Sequence, residues 1–386
     1  MNLKDKVKNL PSSPGVYLMK DSSARIIYVG KAKNLKNRVR SYFQNSNAHS
    51  EKIKKLKANI KDFELILTDT EFEAFLLECK LIQKIKPLFN KKMKNPQSYT
   101  YILIHKDDNN RRLEMTNSPE KDGYLSFGPF TSKHTVEKAI QGIKEFYKIN
   151  CSSPSNKNTP CLNYSLGLCI GTCTGSPSAV TEYNTIINKI IALLTGTNTS
   201  ILVEMKQTMA LAAENFDFET AAKYRDFLDA INFLIKKEQI IEFTEANKNI
   251  AVLEPLTGDS IKLFLIKGNQ VLFSKKYQLA GTNLEQLVEM IKMNTFTYFS
   301  NEAHPTSFEV RKDEVDEAQI IYSYLKSSNC CYKIIPKKWF KTDTNPKLAE
   351  ALGDTLVKMI AKSKVSVANK STPREFNSDL LNSFLY

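Results

Sequence analysis

Glu78 is the residue whose surroundings say most about chemistry. On a helix, its neighbours lie three, four and seven positions away. The residues at those positions are all apolar: Ala74, Leu81, Ile82 and Ile85. The carboxylate therefore lies in an apolar stripe, where it is partly desolvated and needs a cation or strong hydrogen-bond donors. A metal ion would satisfy it, and so would a structural partner such as Arg38 or a backbone N–H group.

Two tyrosines lie on a predicted hairpin over residues 14–30. Tyr17 and Tyr28 are each two positions from a glycine, and Lys31 follows the second glycine directly. A glycine at a strand end lets another backbone, such as a phosphate backbone, approach closely. Tyrosines on paired strands are also common cross-strand pairs in a core, so this motif alone leaves its function open.

Four of the seven cysteines fall within 23 residues: Cys151, Cys161, Cys169 and Cys173. Such clustering predicts ligation of a metal or an iron-sulfur cluster. The short paired Cys-x2-Cys spacing that is usual in zinc sites is missing. Zinc, a cluster and free thiols therefore remain open from spacing alone. We interpret the three other cysteines as ordinary residues: Cys79, Cys330 and Cys331.

The net charge of +14 is concentrated at the start of the chain. The first 100 residues hold 21 lysines and arginines against 9 aspartates and glutamates. This excess indicates a polyanion partner, with nucleic acid as the default, although a solvated basic surface has the same composition. No apolar run is long enough to span a bilayer, and residues 1–6 lack the apolar core of a signal peptide. A cytoplasmic protein without a membrane partner is therefore predicted.

Helices and strands alternate along the chain, which predicts a mixed α/β (α+β) fold. In the first ninety residues, the hairpin precedes a helix over 34–43, a strand over 63–67 and a helix capped by Asp69 that ends near Ile85. Beyond them we predict strands at 101–104, 113–116, 261–266 and 271–275. The predicted helices span 131–147, 180–195, 199–238 (as two), 284–293, 315–326 and 346–362, the last capped by Asn345. Residues 150–177 lack the apolar side chains needed to order themselves.

Three segments of the chain resemble the UvrC family of GIY-YIG endonucleases. The first begins Leu10-Pro-Ser-Ser-Pro-Gly-Val-Tyr and continues Ile27-Tyr-Val-Gly-Lys, with valine in place of isoleucine in both half-motifs. The second is Glu71-Phe-Glu-Ala-Phe-Leu-Leu-Glu-Cys-Lys, which leads to Asn90. The third, Phe218-Glu-Thr-Ala-Ala-Lys-Tyr-Arg-Asp, resembles the UVR motif that is shared with the helicase subunit UvrB.

The resemblance implies a nuclease site formed by Tyr17, Tyr28, Lys31, Arg38, Tyr42, Glu78 and Asn90. It implies that Glu78 holds one Mg²⁺ or Mn²⁺ ion. Either Tyr28 or Tyr17 would act as the base for an attacking water or orient that base, and Lys31 would lower the pKa of that tyrosine. Arg38 would stabilise the charge on the phosphorane, while Tyr42 and Asn90 would orient the site.

The resemblance also implies a 4Fe-4S cluster on Cys151, Cys161, Cys169 and Cys173, with Zn²⁺ as the alternative. For the UVR-like segment it implies docking on UvrB through Phe216, Phe218, Ala221, Ala222 and Arg225. An ordinary helical hairpin within the body of the protein is the competing interpretation of that segment.

The predicted domain organisation follows these motifs. It comprises a GIY-YIG nuclease domain with a small mixed or antiparallel sheet (1–95), a nuclease-associated extension (96–150), a Cys-rich iron-sulfur segment (150–178), a UVR helical hairpin (199–237), a UvrC-like middle domain of mixed α/β structure (245–362) and a polar tail (363–386).

The predicted function is one metal-dependent incision, 3′ of the lesion, in damaged double-stranded DNA that UvrB presents. We find no acidic cluster for the second, RNase H-like nuclease centre of the family, nor its helix-hairpin-helix modules, so the chain is expected to resemble the short homologue Cho in having one nuclease site. The alternative is an accessory paralogue that binds UvrB and DNA without cutting.

Overall fold

The computed structural model describes residues 3–44, 51–90, 99–106, 112–118, 122–151, 159–300, 314–327, 330–340 and 346–368. The chain forms two compact units. Unit 1 comprises residues 1–96 and 243–386, and unit 2 comprises residues 97–242. None of the helices in the described ranges is long and apolar enough to cross a membrane.

The amino-terminal part of unit 1 is a three-stranded antiparallel sheet with helices on both faces. Its elements are α1 (Leu3–Lys8), β1 (Gly15–Lys20), β2 (Ile26–Ala32), α2 (Leu35–Phe43), α3 (Glu51–Asn59), β3 (Asp62–Leu67) and α4 (Glu71–Ile85). The strand order is β2-β1-β3, so β1 is central and β2 is an edge strand. Alternation along β1 sends Tyr17 and Met19 towards α2 and α3, whereas Val16 and Leu18 pack under α4.

The ends of the helices in this part follow from local capping chemistry. Asn34 caps α2 by accepting a hydrogen bond from the Asn37 N–H group. The cap of α4 is Thr70 and not the predicted Asp69, because Thr70 and Glu73 form a reciprocal capping box. The chain leaves α4 through Lys86 in the left-handed conformation, directly before Pro87, which cannot continue the helix.

Unit 2 combines a small antiparallel sheet with a group of helices. Its elements are β4 (Thr100–His105), β5 (Leu113–Thr116), β6 (Tyr124–Phe130), α5 (Lys133–Phe146), α6 (Leu162–Ser165), α7 (Pro177–Leu194), α8 (Ser200–Glu214) and α9 (Phe218–Glu245), with strand order β5-β4-β6. The β6 strand was not predicted from the sequence. The α5 helix packs closely on α9, since a Cβ atom at Gly142 would collide with the Phe227 ring.

The carboxyl-terminal part of unit 1 is a four-stranded antiparallel sheet of order β10-β7-β8-β9. Its elements are β7 (Asn249–Leu256), β8 (Ser260–Lys267), β9 (Gln270–Gln278), α10 (Leu284–Ser300), α11 (Val315–Lys326), β10 (Cys331–Ile335) and α12 (Pro346–Ala368). One face packs against α10 and α12. The other face packs against α11 and α4.

These observations confirm the predicted mixed α/β (α+β) class. Two strands of the last sheet, β7 and β10, were missed, as was α3. The α12 helix continues past residue 363, where the polar tail was predicted to begin, and reaches Ala368. Asn345, the predicted cap of α12, and residues 369–386 lie outside the described ranges.

Candidate active site

Glu78 lies where the edge strand β2 meets α4. Its Oε1 atom accepts a hydrogen bond of 3.0 Å from the backbone N–H group of Lys31. The predicted apolar stripe is present, since Ala74 and Ile82 pack with Val29 under the same helix face. Burial raises the pKa of Glu78 to about 7, against the lowering effects of Lys31 and Arg38.

Backbone groups along the outer edge of β2 form hydrogen bonds with residues outside the sheet. The Phe89 N–H group donates to the Ile27 carbonyl, at 2.9 Å. The Asn90 amide both accepts from the Val29 N–H group and donates to the Val29 carbonyl, each at 2.9 Å. Glu78 completes the series at Lys31. Since a buried backbone group needs a partner, this edge fixes both Asn90 and Glu78 relative to the hairpin.

Three tyrosines and an arginine lie together on the other face of the sheet. The Tyr17 and Tyr42 hydroxyls are 2.9 Å apart, and Arg38 donates from Nε to the Tyr17 hydroxyl at 3.3 Å. The ring centroids of Tyr17 and Tyr28 are 6.1 Å apart. Tyr17 is buried, whereas Tyr28 is only partly buried and Arg38 is exposed.

Gly30 was expected to let a phosphate backbone approach, but in the structure it makes room for the side chain of Tyr17. Gly30 pairs with Tyr17 across the hairpin, and a Cβ atom at Gly30 would collide with the phenol of Tyr17. Because Gly30 has no side chain, the Tyr17 ring can lie beside Tyr42.

The electrostatic environment raises the pKa of both candidate bases. Burial is the main cause for Tyr17 and for Tyr28, and the negative charge of Glu78 adds to it at Tyr28. The cation that lowers both pKa values is Arg38. Lys31, for which this role was predicted, instead places Nζ 3.2 Å from Glu71 and 4.2 Å from the centre of the Phe75 ring. The predicted effect of Lys31 on the pKa of a tyrosine stays a prediction.

This arrangement suits metal-assisted attack on a phosphodiester. A single carboxylate of Glu78, held by one backbone donor, keeps lone pairs for a divalent ion, and Mg²⁺ characteristically binds through one or two carboxylates while retaining several waters. The charges of Glu78 and Arg38 both affect the pKa of Tyr28, and the charge of Arg38 affects the pKa of Glu78. The residues of the predicted site therefore fit one Mg²⁺ or Mn²⁺ ion.

Unit 2 brings the four clustered cysteines together. One sulfur from each of Cys151, Cys161, Cys169 and Cys173 lies within 4.8 Å of the other three. The Cys161 N–H group donates to the Cys173 sulfur at 3.3 Å, and the Gly171 N–H group donates to the Cys169 sulfur at 3.4 Å. Four thiols without another ligand type fit either zinc or an iron-sulfur cluster.

The residues predicted to bind UvrB separate into exposed and packed groups. Phe216 and Phe218 are 80% and 65% exposed at the turn between α8 and α9, with ring centroids 6.2 Å apart. Arg225 is exposed beside Asp226, whereas Ala221 and Ala222 are partly buried. Large exposed aromatic rings at a helical turn are typical of a docking surface.

Lys262 is a buried lysine of β8 that was not singled out from the sequence. Glu73 pairs with Lys262, and Glu71 in the same helical turn pairs with Lys31. A lysine within the apolar run Ile261-Lys-Leu-Phe-Leu-Ile was the available signal, since a buried lysine requires an acidic partner.

Three family models match the chain in order. The UvrC-like GIY-YIG domain matches residues 13–91, the UvrC/Cho excinuclease middle domain matches residues 99–193, and the UvrB/uvrC motif matches residues 199–232. The predicted GIY-YIG and UVR segments are thereby confirmed in kind. The middle-domain model lies over 99–193 and not over 245–362, so the bounds and identity given to the predicted domains stay predictions.

Curated relatives extend the similarity over most of the chain. The UvrABC system protein C of Acetivibrio thermocellus is 34% identical over 379 residues, which cover 97% of this chain and 59% of that protein. The protein of the same name from Clostridium acetobutylicum is 36% identical, covering 77% of this chain and 49% of that protein. The chain thus spans about three fifths of the length of the first of these relatives.

Among solved structures, the GIY-YIG N-terminal endonuclease domain of UvrC from Thermotoga maritima, bound to magnesium, is similar to part of this chain. It is 40% identical and covers 23% of this chain and 94% of that domain, with a TM-score of 0.21. A variant of that domain in which one tyrosine is replaced by phenylalanine matches at 38% identity with the same TM-score.

Proposed function

Because this chain belongs to the UvrC family, we propose that it is a DNA endonuclease of nucleotide excision repair. It makes a metal-dependent cut in a phosphodiester of damaged double-stranded DNA. The observation that carries this proposal is Glu78, a desolvated carboxylate fixed by the Lys31 N–H group beside a set of phenols and a guanidinium.

Glu78 is the protein ligand of one Mg²⁺ or Mn²⁺ ion in this proposal. Such an ion, when bound, polarises a phosphate oxygen and stabilises the charge that develops during cleavage. The Lys31 N–H group and the packing of α4 hold the carboxylate at the sheet edge, so its position is set before DNA arrives.

The tyrosines differ in what they can do for the attacking water. Tyr28 is partly exposed, and the charge of Glu78 acts on its pKa. We therefore assign Tyr28 to contact the water. Tyr17 is buried and engaged with Tyr42 and Arg38, so it positions its neighbours. Arg38, exposed and anchored through Nε, stabilises the charge on the transferring phosphate. Asn90 and Tyr42 fix the strand and the phenols.

A nicking assay tests the proposal. The substrate is a duplex with a single bulky lesion, incubated with Mg²⁺ or Mn²⁺, with and without UvrB. We expect cutting by the natural chain, loss of cutting in Glu78→Gln, and full cutting in Glu51→Gln, which changes an exposed carboxylate of α3. A natural chain that binds UvrB and DNA but leaves the duplex intact would support the accessory paralogue instead.

We place the cut on the 3′ side of the lesion, in DNA presented by UvrB. The match to the UvrB/uvrC motif over residues 199–232 and the exposed rings of Phe216 and Phe218 support the partner. End-labelling of both strands maps the cut, and a cut on the 5′ side would contradict the assignment.

Docking on UvrB is tested separately from cutting. The double variant Phe218→Ala, Arg225→Ala is expected to weaken binding about thirtyfold, since exposed aromatic and arginine side chains dominate such interfaces. The matched control is Val357→Ala, Lys358→Ala, which removes an exposed apolar residue and a lysine from α12. Equal binding by both double variants would refute the docking surface.

For the four cysteines we propose a 4Fe-4S cluster. Their sulfurs converge within 4.8 Å, and backbone N–H groups already point at two of them, as expected for ligands that carry negative charge. Anaerobic purification followed by iron, sulfide and zinc analysis distinguishes the occupants. Stoichiometric zinc without iron would assign the site to Zn²⁺.

A further inference from the structure

The α4 helix that carries Glu78 is buried on two sides. One side, with Ala74 and Ile82, packs on the amino-terminal sheet. The opposite side presents four buried residues to the carboxyl-terminal sheet of the same unit: Phe72, Phe75, Leu76 and Cys79. The helix is therefore a shared element, and the part of the chain beyond residue 249 can influence where Glu78 lies.

The apolar part of this contact is specific in geometry. The Phe72 ring stacks on Tyr324 with centroids 3.8 Å apart and planes 7° from parallel. The same ring meets Phe264 edge-on at 5.1 Å. The Tyr324 hydroxyl donates to Glu254 at 2.7 Å, so the stacked ring is itself held at its far end. Aromatic contacts of this kind restrict a helix to one position along its axis.

Lys262 adds a polar anchor to the first turn of α4. Its Nζ lies 2.6 Å from Asp69 Oδ2 and 2.7 Å from Glu73 Oε1, and its side chain is only 7% exposed. A lysine buried to this degree is stable only with its partners in place. The ion pair therefore couples β8 to the start of the helix.

The anchored turn leads directly to the candidate metal ligand. Glu73 forms an ion pair with Lys262 and also accepts a hydrogen bond from the Thr70 N–H group through Oε2. Glu71, in the same turn, bonds Lys31 Nζ, and the Lys31 N–H group holds Glu78. Lys262 thus acts on Glu78 through the first turn of α4 and through Lys31, without contact to the carboxylate itself.

We infer that Lys262 is a positioning residue for the metal-binding carboxylate, and that the carboxyl-terminal sheet of unit 1 is part of what gives Glu78 its affinity for a divalent ion. This inference rests on the proposed function only in taking Glu78 as the metal ligand. It assigns a task to Lys262 and to strand β8, which lie outside the residues that the three family models match.

The test is calorimetric titration of the full chain with Mn²⁺, which prefers carboxylate to thiolate ligands. The titration of Glu78→Gln serves as the baseline that removes binding elsewhere. Lys262→Met is expected to bind Mn²⁺ about tenfold more weakly, the loss that is typical when a supporting residue around a metal ligand is removed. Lys262→Arg, which retains the charge, is expected to restore most of that affinity.

The sign of the change separates positioning from simple electrostatics. Loss of a positive charge near a cation site strengthens cation binding by Coulomb's law, so weaker binding requires displacement of the carboxylate. The matched control Lys275→Met removes an exposed lysine from the neighbouring strand and should leave the affinity unchanged. The uncharged variant Phe72→Leu removes the stacked ring and should weaken binding severalfold, which provides the test if Lys262→Met does not fold.

Unchanged or tighter Mn²⁺ binding in folded Lys262→Met and in Phe72→Leu overturns the inference. Failure of the proposed function gives a different result. In that case the natural chain binds Mn²⁺ through Glu78 but does not cut DNA. Absence of any Mn²⁺ binding that depends on Glu78 overturns both.

Discussion

The edge of β2 and the cysteine segment are held together by different means. At the β2 edge, protein groups satisfy one another: Asn90 bonds both backbone groups of Val29, and Glu78 accepts from Lys31. Among the described residues of the cysteine segment (151 and 159–178), the buried side chains are cysteines, while the neighbouring Leu162 and Leu166 are 69% and 61% exposed. The first region is ordered by its own chain, whereas the residues that the structure describes in the second lack the apolar core that would order them.

This difference predicts opposite responses to loss of the bound inorganic group. Metal ligation supplies folding energy where a core is missing, so the cysteine segment should depend on its occupant for structure. The β2 edge should keep its structure without Mg²⁺ and lose only chemistry. Substitutions in the two regions should therefore differ in whether they remove structure or only chemistry.

Cys173→Ser should cause the largest change. The apparent binding energy of a structural metal site is on the order of 10 kcal/mol, so removing one buried ligand should abolish retention of iron or zinc. We expect loss of bound metal and rapid limited proteolysis within residues 150–178. Cys331→Ser, a change of a partly buried cysteine outside the cluster, is the control. Retained metal together with protease resistance would contradict the contrast.

Glu78→Gln should reduce cutting about a thousandfold, because the ligand that positions the metal is lost. The fold should remain, since the glutamine oxygen can still accept from the Lys31 N–H group. Because burial raises the pKa of Glu78 to about 7, the folded chain loses stability relative to the unfolded chain once this carboxylate ionises above that pH. At pH 8 the melting temperature should therefore equal or exceed that of the natural chain. A clear fall would show that the site depends on its charge for folding.

Asn90→Ala tests whether the β2 edge depends on protein contacts. The change leaves the Val29 N–H and carbonyl groups without their partner, at a cost of about 3 kcal/mol in the free energy of unfolding. Asn90→Asp keeps the acceptor and loses the donor, so an intermediate loss is expected. Urea unfolding measures both, with Asn59→Ala, an exposed residue of α3, as the control. Full stability of Asn90→Ala would mean that this edge is satisfied in another way.

Contacts could be predicted from the sequence when the interacting residues lie close together along the chain. The apolar stripe around Glu78 is visible within a single helix, and helical periodicity was enough to single out the carboxylate. The resemblance to UvrC then brought the tyrosines and Arg38 to the same site, and the structure places them together.

Periodicity does not reveal the partner of a side chain that lies far away along the sequence. Lys31 follows Gly30 directly and was expected to lower the pKa of a tyrosine; strand alternation places its side chain on the α4 face, where it contacts Glu71 and Phe75. Asp69 was predicted as a cap because its type is suitable, yet it pairs with Lys262, 193 residues away. Such a pair depends on how two sheets share one helix, which no local pattern encodes.

The smallest expected effect concerns pH and Glu254, the carboxylate that faces the shared helix. Burial, and then the charges of Glu73 and Glu71, raise its pKa to about 7, although Tyr324 and Lys262 act in the opposite direction. Between about pH 4.5 and 7 the folded chain keeps a proton that the unfolded chain has lost. Stability from this group is therefore full below pH 4.5 and is lost as pH rises through 7.

Glu254→Gln removes that dependence while still accepting from the Tyr324 hydroxyl. The difference in unfolding free energy between variant and natural chain should shift by about 2 kcal/mol in favour of the variant from pH 5 to pH 8. Because Glu78 is common to both chains, its own titration cancels in this comparison. Glu285→Gln, an exposed change on α10, should show no such shift. If the Glu254 variant also shows none, its carboxylate is solvated and the contact between α4 and the second sheet is looser than the ring stacking of Phe72 implies.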